Sequence, residues 1–113
     1  MKWKSCPLLL DTYEVNRNGH IRRIDTKRIL IPYKDRFGYM CISTSINGKT
    51  FTLRLHRIIA TLFLDNPKNV NVVNHINGIK TDNRLENLEW CTQQHNVNHA
   101  ILLGLRKYEK FNK

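Results

Sequence analysis

The first half of this 113-residue chain reads as short apolar-rich strands separated by turn signals, and helical spacing of apolar residues follows near its middle. Tyr13-Glu14-Val15 and His20 to Ile24 read as short strands around Asn16-Arg17-Asn18-Gly19, whose Asn-Gly ending supplies the positive φ of a tight turn. A clearer hairpin follows. Tyr39 to Ile46 and Thr50 to Leu55 flank Asn47-Gly48, the pair that type I′ turns prefer. On the return strand Phe51, Leu53 and Leu55 face one way and Thr50, Thr52 and Arg54 the other. From His56 to Leu64 the apolar residues fall at 58, 59, 62 and 63, which predicts a core helix, and Asp65-Asn66-Pro67 closes it.

After Val70 the pattern changes. Val72 to His75 predicts a short strand, Asn77-Gly78 a turn, and Lys80 to Asn83 a loop. Leu88 and Trp90 alternate, which suggests a second short strand paired with Val72 to His75, both residues being core rather than base-stacking groups. Thr92 suits the N-cap of a helix from Gln93 to Leu103, with Gly104 in the place of a C′ glycine. On that helix Asn96 and His99 share a face, as do His95 and His99. The expected fold class is α+β: N-terminal β-hairpins and a core helix leading into a strand–loop–strand–helix unit. One compact domain is expected, with a β-rich basic region over 1–69, the second unit over 70–105 and a basic tail over 106–113.

Composition narrows the partners. Nineteen Lys and Arg stand against nine Asp and Glu, a formal charge of +10, which fits nucleic acid or an anionic membrane surface. Residues 1–64 carry +8 of that balance, so the first half reads as a polyanion-holding surface. Lys34, Arg36, Lys49 and Arg54, with Arg57 at the start of the helix, are candidate phosphate contacts; a solvated polar face is the competing reading. No apolar run approaches the roughly 20 residues of a spanning helix, and no secretory leader is evident. Cys6, Cys41 and Cys91 form no C-x-x-C pair, so a disulfide framework is unsupported and an intracellular, reducing compartment fits. His56 reads as a structural histidine, because nothing near it in sequence looks like a metal or acid–base partner; His20 takes no role.

Asn74-His75 is followed by Asn87 and then by Asn96. With Val-Asn-His-Ile-Asn-Gly-Ile-Lys, Asn-Arg-Leu-Glu-Asn-Leu-Glu-Trp-Cys-Thr and Asn-Val-Asn-His-Ala, these positions resemble the HNH (ββα-metal, His-Me finger) nucleases of the phage homing-endonuclease type. Tyr-Glu-Val-Asn-Arg-Asn-Gly-His-Ile, Phe-Gly-Tyr and Leu-His-Arg-Ile-Ile-Ala are similar to the N-terminal module such proteins often carry, so the resemblance runs from about Tyr13 to Ala100.

The resemblance implies a metal-dependent DNA endonuclease. His75 would be the general base taking a proton from the attacking water, its ordinary pKa of about 6.5 suiting neutral pH. Asn87 would hold the other ring nitrogen through its side-chain carbonyl. Asn74 and Asn96 would present oxygens to one divalent ion, Mg²⁺ or Mn²⁺. His99 would be a further metal ligand, a phosphate contact or a surface histidine, the last two ranking higher, and His95 is expected to be exposed. Lys80 and Arg84 would hold phosphates near the cut. Both presumed ligands are neutral amides, so weak metal binding without DNA is expected.

Taken singly, each of these residues has a bland explanation: His75 as a satisfied histidine ending a strand, Asn83 and Asn87 as loop residues bonding their own backbone. Taken in register, they favour the nuclease. The alternative is a DNA-binding module on the same frame that has lost hydrolysis; a zinc domain built on His75, His95, His99 and Cys91 fails on spacing. No small-molecule cofactor and no membrane are expected. Because the sequence stops soon after the last helix, target specificity would come from the hairpins, a homodimer or a partner, or be low. One site per chain favours nicking.

Overall fold

The computed structural model describes residues 2–103, so Gly104 and the basic tail at 106–113 lie outside the described residues. Among the described residues nine strands and two α-helices follow one another in the order β1 (Trp3–Ser5), β2 (Tyr13–Asn16), β3 (Ile21–Arg23), β4 (Ile29–Leu30), β5 (Tyr33–Lys34), β6 (Met40–Ile46), β7 (Lys49–Arg54), α1 (Leu55–Phe63), β8 (Val72–His75), β9 (Leu88–Cys91) and α2 (Gln93–Leu102). Single 3₁₀ turns occur at Pro7–Leu9 and Leu85–Asn87. The strands form three antiparallel sheets: β1-β2-β3-β4, β5-β6-β7 and β8-β9. This is the expected small α+β chain of hairpins, a helix and a strand–loop–strand–helix unit.

Both hairpins form where the turn residues put them. Asn47 and Gly48 have φ of 52° and 78°, the double positive φ of the expected turn, and Ile46 pairs with Lys49 across it. In the first hairpin Asn16 Oδ1 accepts from the backbone N–H of Asn18 and His20, and Gly19 has φ +87°. The Gly19 position is tight as well as left-handed. A Cβ there would stand 3.1 Å from the Asn83 carbonyl oxygen, so this hairpin is docked on the loop before β9. A backbone bond from Leu85 N–H to Arg17 O, 2.8 Å, joins the same two segments.

α1 packs against β6, β7, β8 and β9. Leu55, Ile58, Ile59 and Ala60 supply its buried side and meet Val15, Ile21, Ile42, Val73 and Leu88 in one hydrophobic cluster that reaches back to Cys6. Burying each large aliphatic contributes on the order of 2 kcal/mol, and here that burial locks both halves of the chain together. Leu88 is core and Trp90 packs on the cluster, as their alternation suggested. All three cysteines are buried free thiols. Among the described residues no helix is long and apolar enough to cross a membrane.

Candidate active site

β8 and β9 pair in a register that sets Asn74 opposite Glu89 and His75 opposite Leu88. Asn74 and His75 are both buried, at 6% and 5% exposure. His75 Nε2 lies 2.8 Å from Asn83 Oδ1. An amide oxygen only accepts, so Nε2 carries the proton and Nδ1 keeps the lone pair. Burial pushes the His75 pKa below its ordinary value, and Lys80 adds to that; the Asn83 bond and the Asp82 charge pull the other way. The imidazole is therefore neutral at neutral pH, with its tautomer set by Asn83.

The expected contact between Asn87 and His75 is not made. Asn87 Oδ1 accepts from the Asn77 N–H, and its Nδ2 donates to Asn77 Oδ1 and to the Asp82 carbonyl, each at 2.9 Å. Its own carbonyl accepts from Ile76 N–H at 2.8 Å. Asn87 ends a 3₁₀ turn and meets both ends of the 76–82 loop, so its hydrogen-bonding capacity is spent on closing that loop. Asn83, which the sequence presents as an ordinary loop residue, takes the position expected of Asn87. No local pattern separates two asparagines four residues apart; only the docking of the loop on the first hairpin does.

A second side chain joins the site unannounced. His56, 4% exposed at the start of α1, sets its ring 4.9 Å from that of His75 and stacks on Tyr39 at 5.0 Å. Burial pushes the His56 pKa down to about 3, and competition with His75 for a proton and the Arg57 and Arg54 charges act the same way. Its Nδ1 has no hydrogen-bond partner among the described residues. Sequence proximity hid this pairing, since the two histidines are nineteen positions apart.

Near Asn74 lies a negative charge, the Glu89 carboxylate across the β8–β9 pair. Asn74 Nδ2 donates to Glu89 Oε2 at 2.8 Å, and that carboxylate is 3.4 Å from His95 Nε2. Among the described residues no group of three His, Cys, Asp or Glu gathers in the manner of a metal cage. What is present is a buried amide whose nitrogen donates to a carboxylate, oxygen donors of the kind that hard divalent cations take.

α2 brings the last candidates. The Thr92 side chain caps it by accepting from His95 N–H, as expected, and α2 lies against β8. His99 Nε2 donates to the Ile76 carbonyl at 2.5 Å, so it ties α2 to the residue after His75 rather than serving as a plain surface group. Asn96 is half-buried on the same face, one turn earlier. His95 is exposed, as expected.

The basic candidates divide. Lys80 Nζ donates to the Phe37 carbonyl at 2.8 Å and sits 4.6 Å from the Tyr39 ring centroid. Arg54 pairs with Asp35 at 3.2 Å and lies over Tyr39 at 4.3 Å. Arg36, Lys34 and Lys49 are exposed. Arg84 is held by both Asp82 and Glu86, and it keeps the Asp82 carboxyl well below the usual range. Arg57 donates to the Asn71 carbonyl and covers Trp90. Lys80 and Arg54 thus lie beside Tyr39 and the histidines, whereas Arg36 lies over Phe37, and Arg84 and Arg57 are engaged by neighbouring groups.

Residues 53–98 match the family model for HNH endonucleases. An uncharacterized HNH endonuclease of Acanthamoeba polyphaga mimivirus is 43% identical over 106 residues, which is 94% of this chain and 32% of the relative. The DNA endonuclease I-HmuI of Bacillus phage SP01 is 30% identical over 97% of this chain and 63% of its own length. A solved structure of the same homing endonuclease superposes with a TM-score of 0.82 at 29% identity, covering 96% of this chain and 62% of that one. Residues 53–98 carry the HNH endonuclease pattern, and nearly the whole chain is similar to an HNH homing endonuclease. The chain spans about a third of the viral relative and under two thirds of the phage enzyme.

Proposed function

We propose that this chain is a DNA endonuclease that hydrolyses a phosphodiester bond with His75 as general base and one divalent cation, breaking one strand at a time. The observation that carries the reading is the His75 Nε2–H to Asn83 Oδ1 bond, which leaves Nδ1 as the proton acceptor of a neutral, buried imidazole. Nδ1 takes a proton from water as its oxygen attacks phosphorus; the bond to the 3′ oxygen breaks, leaving a 5′ phosphate and a 3′ oxygen that takes a proton from solvent to become a hydroxyl. General-base help of this kind is worth about 10²–10⁴-fold. Asn74 and Asn96 are the residues that would hold the cation, with Glu89 placing a negative charge beside Asn74. When bound, the cation supplies Lewis-acid stabilisation of charge developing at the leaving oxygen. DNA as substrate is supported by the phage relative's description as a DNA endonuclease and by the +10 charge.

The test is conversion of supercoiled plasmid to open circle in Mg²⁺, Mn²⁺ or EDTA by wild type, His75→Ala and Asn83→Ala. Metal-dependent nicking lost in His75→Ala supports the reading. Plasmid binding without cleavage under any divalent ion would move the chain to the class of DNA-binding modules.

A further inference from the structure

The turn that connects β5 to β6 carries an exposed aromatic with no place in the core. Phe37 is 55% exposed. Yet its backbone is held firmly: Asp35 Oδ1 accepts from the N–H of Phe37 at 2.8 Å and of Tyr39 at 3.0 Å, and Gly38 N–H donates to Asp35 O. Gly38 has φ +91°, a conformation that lets this tight turn close. From across the molecule Lys80 Nζ donates to the Phe37 carbonyl, so the turn is pinned to the loop that follows His75. Two guanidiniums lie over the ring, Arg36 at 4.8 Å and Arg54 at 5.8 Å from its centroid.

An exposed ring on a rigid turn leaves apolar surface in water that a flexible turn would hide. Arg36, Arg54 and Lys80 against the single Asp35 carboxylate repel a neutral apolar protein surface less than they attract a polyanion. A partner that is both anionic and flat is a nucleotide. Tyr39, two residues along, has its ring 6.1 Å from that of His75, which puts the Phe37 turn within a nucleotide or two of the reacting phosphate. His75 is recessed, at 5% exposure. A regular duplex lying on the surface keeps its phosphates on a smooth cylinder, and reaching a recessed base requires the strand to be drawn inward.

We propose that Phe37 is a base-stacking wedge: it packs against one nucleobase next to the cut, opens the base stack there, and lets the scissile phosphate reach His75, while Arg36, Arg54 and Lys80 hold the flanking phosphates. This rests on the DNA-cleaving reading above and specifies what that site demands of its substrate. Side chains that wedge between base steps unstack and bend DNA at modest cost, repaid by contacts the bend permits.

The experiment uses the full chain. Nicks made by wild type in plasmid are mapped, and duplexes of about 30 base pairs are built on the mapped site with 2-aminopurine on either side of the nick. Wild type, Phe37→Ala, Phe37→Leu and Phe37→Trp are compared for single-turnover nicking in Mg²⁺, and for affinity and 2-aminopurine fluorescence in EDTA. The expected result is nicking slowed about 10- to 100-fold in Phe37→Ala and Phe37→Leu and within about threefold of wild type in Phe37→Trp, following the range of base–aromatic stacking. A fluorescence rise with wild type should vanish in Phe37→Ala while the melting temperature stays unchanged. Wild-type nicking by Phe37→Ala, or nicking without any 2-aminopurine response, overturns the wedge alone. A wild type that neither binds nor nicks DNA overturns the DNA reading, and the wedge with it.

Discussion

The rings of His56 and His75 face each other at 4.9 Å with their planes 40° apart, although one opens α1 and the other ends β8. Behind His56 the Tyr39 ring is stacked at an interplanar angle of 14°. Three rings, from α1, β8 and the turn before β6, therefore form one wall, with the His75 imidazole at its end. His75 is held at Nε2 by Asn83 and across its face by His56, which leaves its rotamer little freedom. Preorganisation of this kind is what a hydrolytic site needs.

His56 acts in this wall as a flat neutral ring, so His56→Phe should keep nicking within about threefold and His56→Ala should lower it by an order of magnitude or more. Stability carries a second signature. The folded His56 takes up a proton only near pH 3, whereas in the unfolded chain it does so near 6.5. Between those values the unfolded state binds more protons, so the contribution of neutral His56 is complete above pH 6.5 and is lost as pH falls. Urea unfolding of wild type from pH 4 to 8 should show stability rising with pH and levelling above 6.5, with a shallower rise in His56→Phe. Equal slopes in the two proteins would remove His56 from this role.

Asn83 sets the proton position on His75, and its replacement separates tautomer from charge. Because burial holds His75 below its ordinary pKa, the acid limb of the nicking rate should fall below pH 6.5. Asn83→Asp keeps an acceptor at Nε2 but adds a negative charge, which favours the imidazolium and moves that limb to higher pH. Asn83→Leu removes the acceptor and should cost about 10²-fold at every pH, by leaving the wrong nitrogen protonated. Gly19→Ala should produce a milder version, since its Cβ would press on the Asn83 backbone. pH–rate profiles of the variants would decide; a limb unmoved in Asn83→Asp contradicts the arrangement.

The hairpins, α1, the β8–β9 pair and the Thr92 cap were legible because each rests on local signals: Asn-Gly turns, alternation, helical spacing and a capping side chain. β1, β4 and β5 were not, because strands of two or three residues have no period to read. Asn74 and His75 end β8 and Asn96 lies on α2, the strand and helix the pattern predicts for them. Which asparagine serves His75 was not legible, nor was the presence of His56 or Glu89, because each depends on tertiary docking: the first hairpin on the 83–85 loop, α1 on β8, and the cross-strand register of Asn74 with Glu89.

That register makes a substitution toward a stronger metal ligand costly. Asn74→Asp would set two carboxylates where an amide now donates to Glu89 at 2.8 Å. Without metal the pair repels, and a loss of about 1 kcal/mol corresponds to a melting temperature lower by about 4–8 °C. A divalent ion relieves the repulsion, so Mn²⁺ should restore the loss in Asn74→Asp and shift wild type much less. Thermal melts in EDTA and in Mn²⁺ measure both, and an unchanged melting temperature in EDTA would show that Glu89 does not face Asn74 in solution.

Asn87 is predicted to matter through the loop rather than through the proton. Its side chain, 5% exposed, satisfies the Asn77 N–H, the Asn77 Oδ1 and the Asp82 carbonyl. Asn87→Ala removes all three bonds and should destabilise by about 2–4 kcal/mol, as partners left without a bond lose their compensation. Activity lost in Asn87→Ala should track the loss of folded protein and of loop order. At low temperature, where folding is restored, the acid limb should be that of wild type. A shifted limb with intact stability would return Asn87 to the His75 ring.

Lys80 and Arg84 lie four residues apart in the same loop, and the ion pairs around them predict opposite results. Arg84 is bound by Asp82 through two nitrogens at 2.8 Å and by Glu86 at 3.3 Å, so its charge is largely answered within the loop. Lys80 makes its bond to a neutral carbonyl, and its charge is still available to a phosphate beside Tyr39 and the histidines. Each neutralised phosphate contributes close to one unit to the slope of log affinity against log salt concentration. Lys80→Ala should therefore flatten that slope by about one, whereas Arg84→Ala should leave it nearly unchanged while freeing Asp82 to repel DNA and weaken binding at all salt concentrations. Filter binding of plasmid across a salt series distinguishes the two, and a flattened slope in Arg84→Ala would mean that the ion pairs open when DNA arrives.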